Sequence, residues 1–76
     1  MIPLSMVSPG EQAQVVSIGA GWGIQRRLAD MGLTPGLKIR VVRSQRHGAV
    51  VLDVRGSRLA LGRGLARRIM VRLEGE

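Results

Sequence analysis

Apolar residues recur along this chain with two periods, and the switch between the periods divides it into elements. Leu37, Ile39 and Val41 alternate with Lys38 and Arg40, which predicts a strand with one buried face and one basic face. Val50, Leu52 and Val54 alternate with Val51 and Asp53, and Ile69, Val71 and Leu73 with Met70, Arg72 and Glu74, predicting two more strands. Glu11 to Ile18 reads as an earlier strand, with Ala13 and Val15 on one face and Gln14 on the other, and Arg58 to Leu61 reads as a short one. Met1 to Val7 is apolar enough to pack as an edge segment. Ser8-Pro9-Gly10, the polar loop from Ser44 to Gly48, and Arg55-Gly56-Ser57 supply the turns. Beyond the break at Gly62-Arg63-Gly64, Leu65 to Arg68 predicts a single helical turn.

The period changes once to that of a helix. Ile24, Leu28 and Met31 recur at i, i+4 and i+7, so one apolar stripe faces inward and Arg26, Arg27 and Asp30 fall on or near the solvated side. Gly32 follows as a residue able to take the left-handed conformation that closes a helix, and Leu33 is placed to fold back on the last turn. Pro35-Gly36 stops any continuation and turns the chain into the next strand.

Short strands with frequent turns and one inserted helix define the expected fold: mainly β, a small closed or nearly closed antiparallel barrel of about five strands with the helix after the first. Closure, or near closure, would remove the unpaired edges that a small sheet leaves exposed. The expected interior is Val15, Ile24, Leu28, Ile39, Val41, Val50, Leu52, Leu59, Leu61, Ile69 and Val71. At this length residues 1–76 make one domain with one core. Exposed β-edges on so small a domain leave homo-oligomers compatible with the sequence.

Composition adds charge to this picture. The chain has 76 residues, 12 basic against 5 acidic, and a formal net charge of +7. Such a surface favours acidic partners: nucleic acid, an anionic membrane face or an acidic protein. Single strands of nucleic acid are usually held by aromatic stacking, and Trp22 is the only aromatic here. No apolar run approaches the roughly 20 residues that cross a bilayer. Met1-Ile2-Pro3-Leu4 has neither a basic leader nor an extended apolar core, and there are no cysteines. The expectation is a cytoplasmic protein that is not membrane-inserted.

Candidate chemistry is sparse. Gly19-Ala20-Gly21-Trp22-Gly23 lies between a strand and a helix, but its third glycine comes one position early for a dinucleotide fingerprint and no carboxylate follows near Ile39 to Arg43. His47 is the only histidine, and Glu11, Asp30, Asp53, Glu74 and Glu76 are scattered. A transition-metal site normally converges three or four such ligands, so no metal site is expected; His47 and Asp53 are the only weak candidates. No nucleophile, base and orienting group fall into a catalytic pattern, so an enzyme is not expected. Arg40 and Arg58 alternate along strands as any solvated barrel face does, whereas Arg26 and Arg27, with Arg43 and Arg46 further on, are read as one docking patch in view of the +7 excess.

The segment Arg27-Leu28-Ala29-Asp30-Met31-Gly32-Leu33-Thr34-Pro35-Gly36 closely resembles the R-L-x-x-M-G-L-x-P-G signature of the FeoA family, small cytosolic proteins associated with ferrous iron uptake. The resemblance extends to Pro9-Gly10-Glu11 with Ala13 and Val15, and to Leu59-Ala60-Leu61, Ala66 and Ile69-Met70-Val71. It implies an SH3-like barrel with a helix after the first strand. The same module is similar to the C-terminal domain of iron-dependent repressors, although no helix-turn-helix precedes it here. The resemblance implies an adaptor that contacts the cytosolic GTP-binding part of the ferrous iron transporter FeoB and affects transport. Leu28, Met31 and Leu33 would anchor the helix and its cap, while Arg26, Arg27 and Asp30, extended by Arg43 and Arg46, would face the partner. Transition-metal binding, also attached to the family, would be at most a weak association with ferrous ion. The rival expectation is a small basic barrel that binds ribosomal or other RNA through the same arginines; a third is a metallo-regulator using His47 and Asp53.

Overall fold

Val41, Leu52 and Leu59 lie opposite one another on three successive strands, each inward side chain meeting the next across the ladder. That register is what strict alternation demands, because a slip of one residue would turn the whole row outward. The computed structural model describes residues 1–75. Its strands are β1 (Ile2–Pro3), β2 (Gln12–Ile18), β3 (Lys38–Ser44), β4 (Val50–Val54), β5 (Ser57–Leu61) and β6 (Ile69–Leu73), all antiparallel in one sheet of order β1-β6-β2-β3-β4-β5. Helix α1 (Trp22–Asp30) is inserted between β2 and β3, and α2 (Arg63–Ala66) between β5 and β6.

The architecture is the expected one: mainly β, with a helix after the first long strand. The apolar amino-terminal segment goes further than an edge segment. Ile2 and Pro3 pair with Val71 and Met70 as a sixth strand, and Leu4–Met6 turns as a short 3-10 helix that buries Leu4. Proline is tolerated there because an edge strand need not donate on both sides. Among the described residues no pairing joins β1 to β5, so the ladder stays open between these two strands. The short helix lies at Arg63–Ala66, two residues earlier than its sequence suggests.

Two bulges reconcile the sequence with the core. Alternation from Ile39 and Val41 would aim Arg43 inward. The register shifts between Val41 and Arg43, so Val42 is the extra residue and Arg43 is exposed opposite Val51. A second shift between Val15 and Ser17 does the same on β2, turning Ser17 out and Ile18 in. The resulting core contains Val15, Ile18, Leu28, Leu33, Ile39, Val41, Val50, Leu52, Leu61, Ile69 and Val71, together with Leu4, Val7 and Ala66, and Leu59 is half-buried against it. Ile24 and Met31 are not part of it: they are 41% and 49% exposed, which corrects their placement in the interior. They flank Leu28 on the helix, and only the centre of the stripe is covered.

Candidate functional site

Helix α1 is held at both ends by its own sequence. At its start, Gly21 offers no capping side chain, and the Gln25 amide Nε2 instead donates to the Ile18 and Ala20 carbonyls at 3.0 and 2.7 Å, tying the helix to the loop after β2. At its end, Gly32 adopts φ +87° and its N–H donates to Ala29 O at 2.9 Å, while Leu33 N–H reaches Leu28 O at 2.8 Å. These two bonds make a Schellman cap, with Leu28 and Leu33 as its buried apolar pair. Thr34-Pro35-Gly36-Leu37 then forms a turn closed by Leu37 N–H to Thr34 O at 3.1 Å, with Gly36 at φ +92° in the position a type II turn reserves for glycine. Gly36 N–H donates to Val15 O, Val15 N–H to Leu37 O, and the Gln14 side chain to Gly36 O, so the whole signature is clamped onto β2.

The helix lies beside edge strand β5. Ile24, Arg27, Leu28 and Met31 line one side of a groove of about 290 Å³, and Ala60, Leu61, Gly62 and Leu65 line the other. Its floor is apolar and Arg27 stands at its rim. Asp30 and Met31 continue into a second hollow of about 550 Å³ beside Val54, Ser57 and Leu59 of the β4–β5 hairpin. On the far side of the helix, Trp22 is 74% exposed and the Arg26 guanidinium lies over its ring, 5.1 Å from the centroid.

The predicted docking residues fall on three elements. Arg26, Arg27 and Asp30 are together on α1, all exposed. Arg43 is on the outward face of β3, and Arg46 is in the exposed turn between β3 and β4.

The metal candidates sit at opposite ends of β4: His47 precedes it in the exposed turn, and Asp53 is near its end. Asp53 Oδ1 accepts a hydrogen bond from Gly56 N–H at 2.8 Å, so that carboxylate serves the β4–β5 turn. Among the described residues no three His, Cys, Asp or Glu side chains come together, and Glu76 lies outside the described residues.

Sequence reasoning missed Arg63, which it took as part of a glycine break. Its guanidinium donates from Nε to Gly48 O at 3.3 Å, from Nη1 to Ser5 O at 3.2 Å, and from Nη2 to Ser44 Oγ at 2.9 Å and to Gln45 O. One half-buried side chain thus joins α2, the turn after β3 and the amino-terminal 3-10 helix, across the gap the ladder leaves open. Its partners are mostly backbone carbonyls, which leave no residue-type signal in a sequence.

These elements define a small SH3-like antiparallel domain with an inserted, Schellman-capped helix. The FeoA domain model matches residues 2–73. A Methanocaldococcus jannaschii protein named Fe(2+) transport protein A is 45% identical over 71 residues, covering 93% of this chain and 85% of its own. The crystal structure of an iron uptake regulatory protein, FeoA, superposes with a TM-score of 0.88 at 44% identity, covering 95% of this chain and 96% of that one. A manganese-dependent transcriptional repressor shares the fold at a TM-score of 0.81 and 20% identity, over 93% of this chain and 40% of its own. The chain belongs to the FeoA family of ferrous iron transport accessory proteins.

Proposed function

We propose that this protein is a cytoplasmic, non-enzymatic accessory of ferrous iron uptake that docks on the cytosolic GTP-binding part of the membrane transporter FeoB and modulates transport. The observation that carries the proposal is the groove between α1 and β5–α2. It exposes Ile24 and Met31, side chains that a lone domain would gain by burying. Leu28 fixes the helix to the core, Ile24 and Met31 supply the apolar contact, Arg27 gives the rim its polarity, Asp30 lines the adjoining hollow, and Arg26 would meet the partner from the far side of the helix. An apolar centre with a polar rim is the general anatomy of a protein interface. Arg43 and Arg46 lie on other elements and would extend contact only with a partner large enough to pass the β3–β4 hairpin. In this reading ferrous ion is the transporter's cargo, and no resident cofactor is required.

Calorimetric titration of FeoB's cytosolic GTP-binding domain, with and without nucleotide and at two salt concentrations, tests the proposal. Saturable binding that survives the higher salt supports it, and Met31→Glu should weaken that binding at both. Absence of heat and of complex under all four conditions would overturn docking on this domain.

A further inference from the structure

The outward face of the sheet carries a second pattern, which meets the hollow beside Asp30 and Met31 only at Arg55 and Arg58. Register places Arg72, Gln14 and Lys38 in one row across β6, β2 and β3. A second row runs Gln12, Arg40, Asp53 and Arg58 across β2, β3, β4 and β5. Lys38 and Arg40, two residues apart on β3, belong to the same face. At about 4.8 Å between strands, the longer row spans roughly 14 Å. Open hollows of about 340 and 270 Å³ adjoin the rows and share Lys38, and Arg55 lines the larger one. Lys38 with Glu74, at 4.0 Å, is the one ion pair among the described residues. Among the described residues the four arginines of this face therefore have no ion-paired carboxylate, and Asp53 is engaged with Gly56 N–H.

We infer that this face is a headgroup surface for anionic phospholipid, which holds the protein against the bilayer while α1 faces the transporter. The inference rests on reading the protein as the accessory of a membrane transporter. The two rows contain only Gln, Lys, Arg and Asp, so they lack the apolar anchor on which protein interfaces depend. They also lack the aromatics that hold single-stranded nucleic acid. A charged plane needs neither. Attraction between a basic cluster and anionic headgroups acts across a Debye length of about 8–10 Å, so a convex face need not touch every phosphate. With no exposed apolar side chain in the rows, the protein adsorbs without inserting.

The test is co-sedimentation of the full chain with vesicles of phosphatidylcholine alone and of phosphatidylcholine mixed with phosphatidylglycerol, at low and high salt. Binding is expected only to the mixed vesicles and only at low salt. The triple variant Lys38→Gln, Arg40→Gln, Arg58→Gln should lower the partition coefficient on the order of a hundredfold, at about fivefold per charge near the surface. A second triple variant, Arg46→Gln, Arg67→Gln, Arg68→Gln, has the same net charge but changes residues outside the rows, and should retain most of the binding. All six side chains are exposed, so both variants should melt with the wild type. Equal loss in the two variants would overturn the inference, since net charge alone would then explain adsorption. No binding to the mixed vesicles would overturn it as well. Preferential retention on duplex RNA in competition would reassign the face to nucleic acid. No transporter is present in the assay, so these outcomes stand apart from docking at α1.

Discussion

The Leu33 N–H donates to the Leu28 carbonyl at 2.8 Å, and the side chains of both residues are buried, at 0% and 2% exposure. This single pairing connects the last turn of α1, the left-handed Gly32 and the core. It explains why the helix can leave Ile24 and Met31 exposed and still be fixed in place. Leu28→Ala and Leu33→Ala should each destabilise by about 2–5 kcal/mol, the range for emptying a buried leucine site. Ile24→Ala and Met31→Ala should each cost less than about 1 kcal/mol, since surface truncations usually change stability little. Denaturant unfolding midpoints check the contrast.

Gly32 and Gly23 should respond in opposite senses to the same substitution. Gly32 sits at φ +87°, where a Cβ costs roughly 1–2 kcal/mol, although nothing lies within 4 Å of it. Gly23 lies inside α1 with ordinary φ and open space around it. Gly23→Ala should therefore stabilise by roughly 0.5–1 kcal/mol, through helix propensity and a less flexible unfolded chain. Thermal melts of the two variants would decide the matter.

Arg55 is the one residue other than glycine at positive φ among the described residues, at +53°, followed by Gly56 at +85°. Together they form the two-residue loop between β4 and β5, of the type that prefers Asn-Gly. Arg55→Asn should raise stability by roughly 0.5–1 kcal/mol, about 2–8 °C in melting temperature for a domain of this size. A lower melting temperature would show that the arginine side chain stabilises the turn through contacts of its own.

Arg63 predicts a local effect. Arg63→Met should destabilise by about 1–3 kcal/mol, because partly buried acceptors on three segments lose a charged donor. Amide exchange should quicken first around Ser44 to Gly48 and at Ser5. Arg63→Lys should not restore protection, since one ammonium cannot span four acceptors as the guanidinium fork does.

His47 offers a simple check on metal. Titration with ferrous ion should leave the spectra of wild type and His47→Ala alike, because among the described residues His47 belongs to no group of three potential ligands. A saturable change that disappears in the variant would contradict this.

Much of this was legible in the residues, because the governing constraints were local. Gly32-Leu33 wrote the Schellman cap, Pro35-Gly36 the turn, and alternation around Ile39, Leu52 and Val71 the inward faces. What escaped depended on partners distant in sequence. Ile24 and Met31 lie on the same stripe as Leu28, and only the position of β5 decides that the stripe's edges stay open. The bulge at Val42 was hidden because alternation carries no mark of an inserted residue; Arg43, polar at an inward-phase position, was the available hint. Arg63 was unreadable because carbonyls recognise no residue type. The docking residues were chosen for charge and exposure, and the structure places Arg26, Arg27 and Asp30 on α1, Arg43 on β3 and Arg46 in the turn after it.

The central claim is that the α1 groove is the docking site. Its most direct test is backbone amide chemical-shift mapping of the labelled protein as FeoB's cytosolic GTP-binding domain is added. The account predicts the largest perturbations at Ile24, Arg27, Met31 and Leu65, with Arg72 and Gln14 on the sheet face unmoved. Perturbations centred on the sheet face, or none at saturating partner, would contradict it.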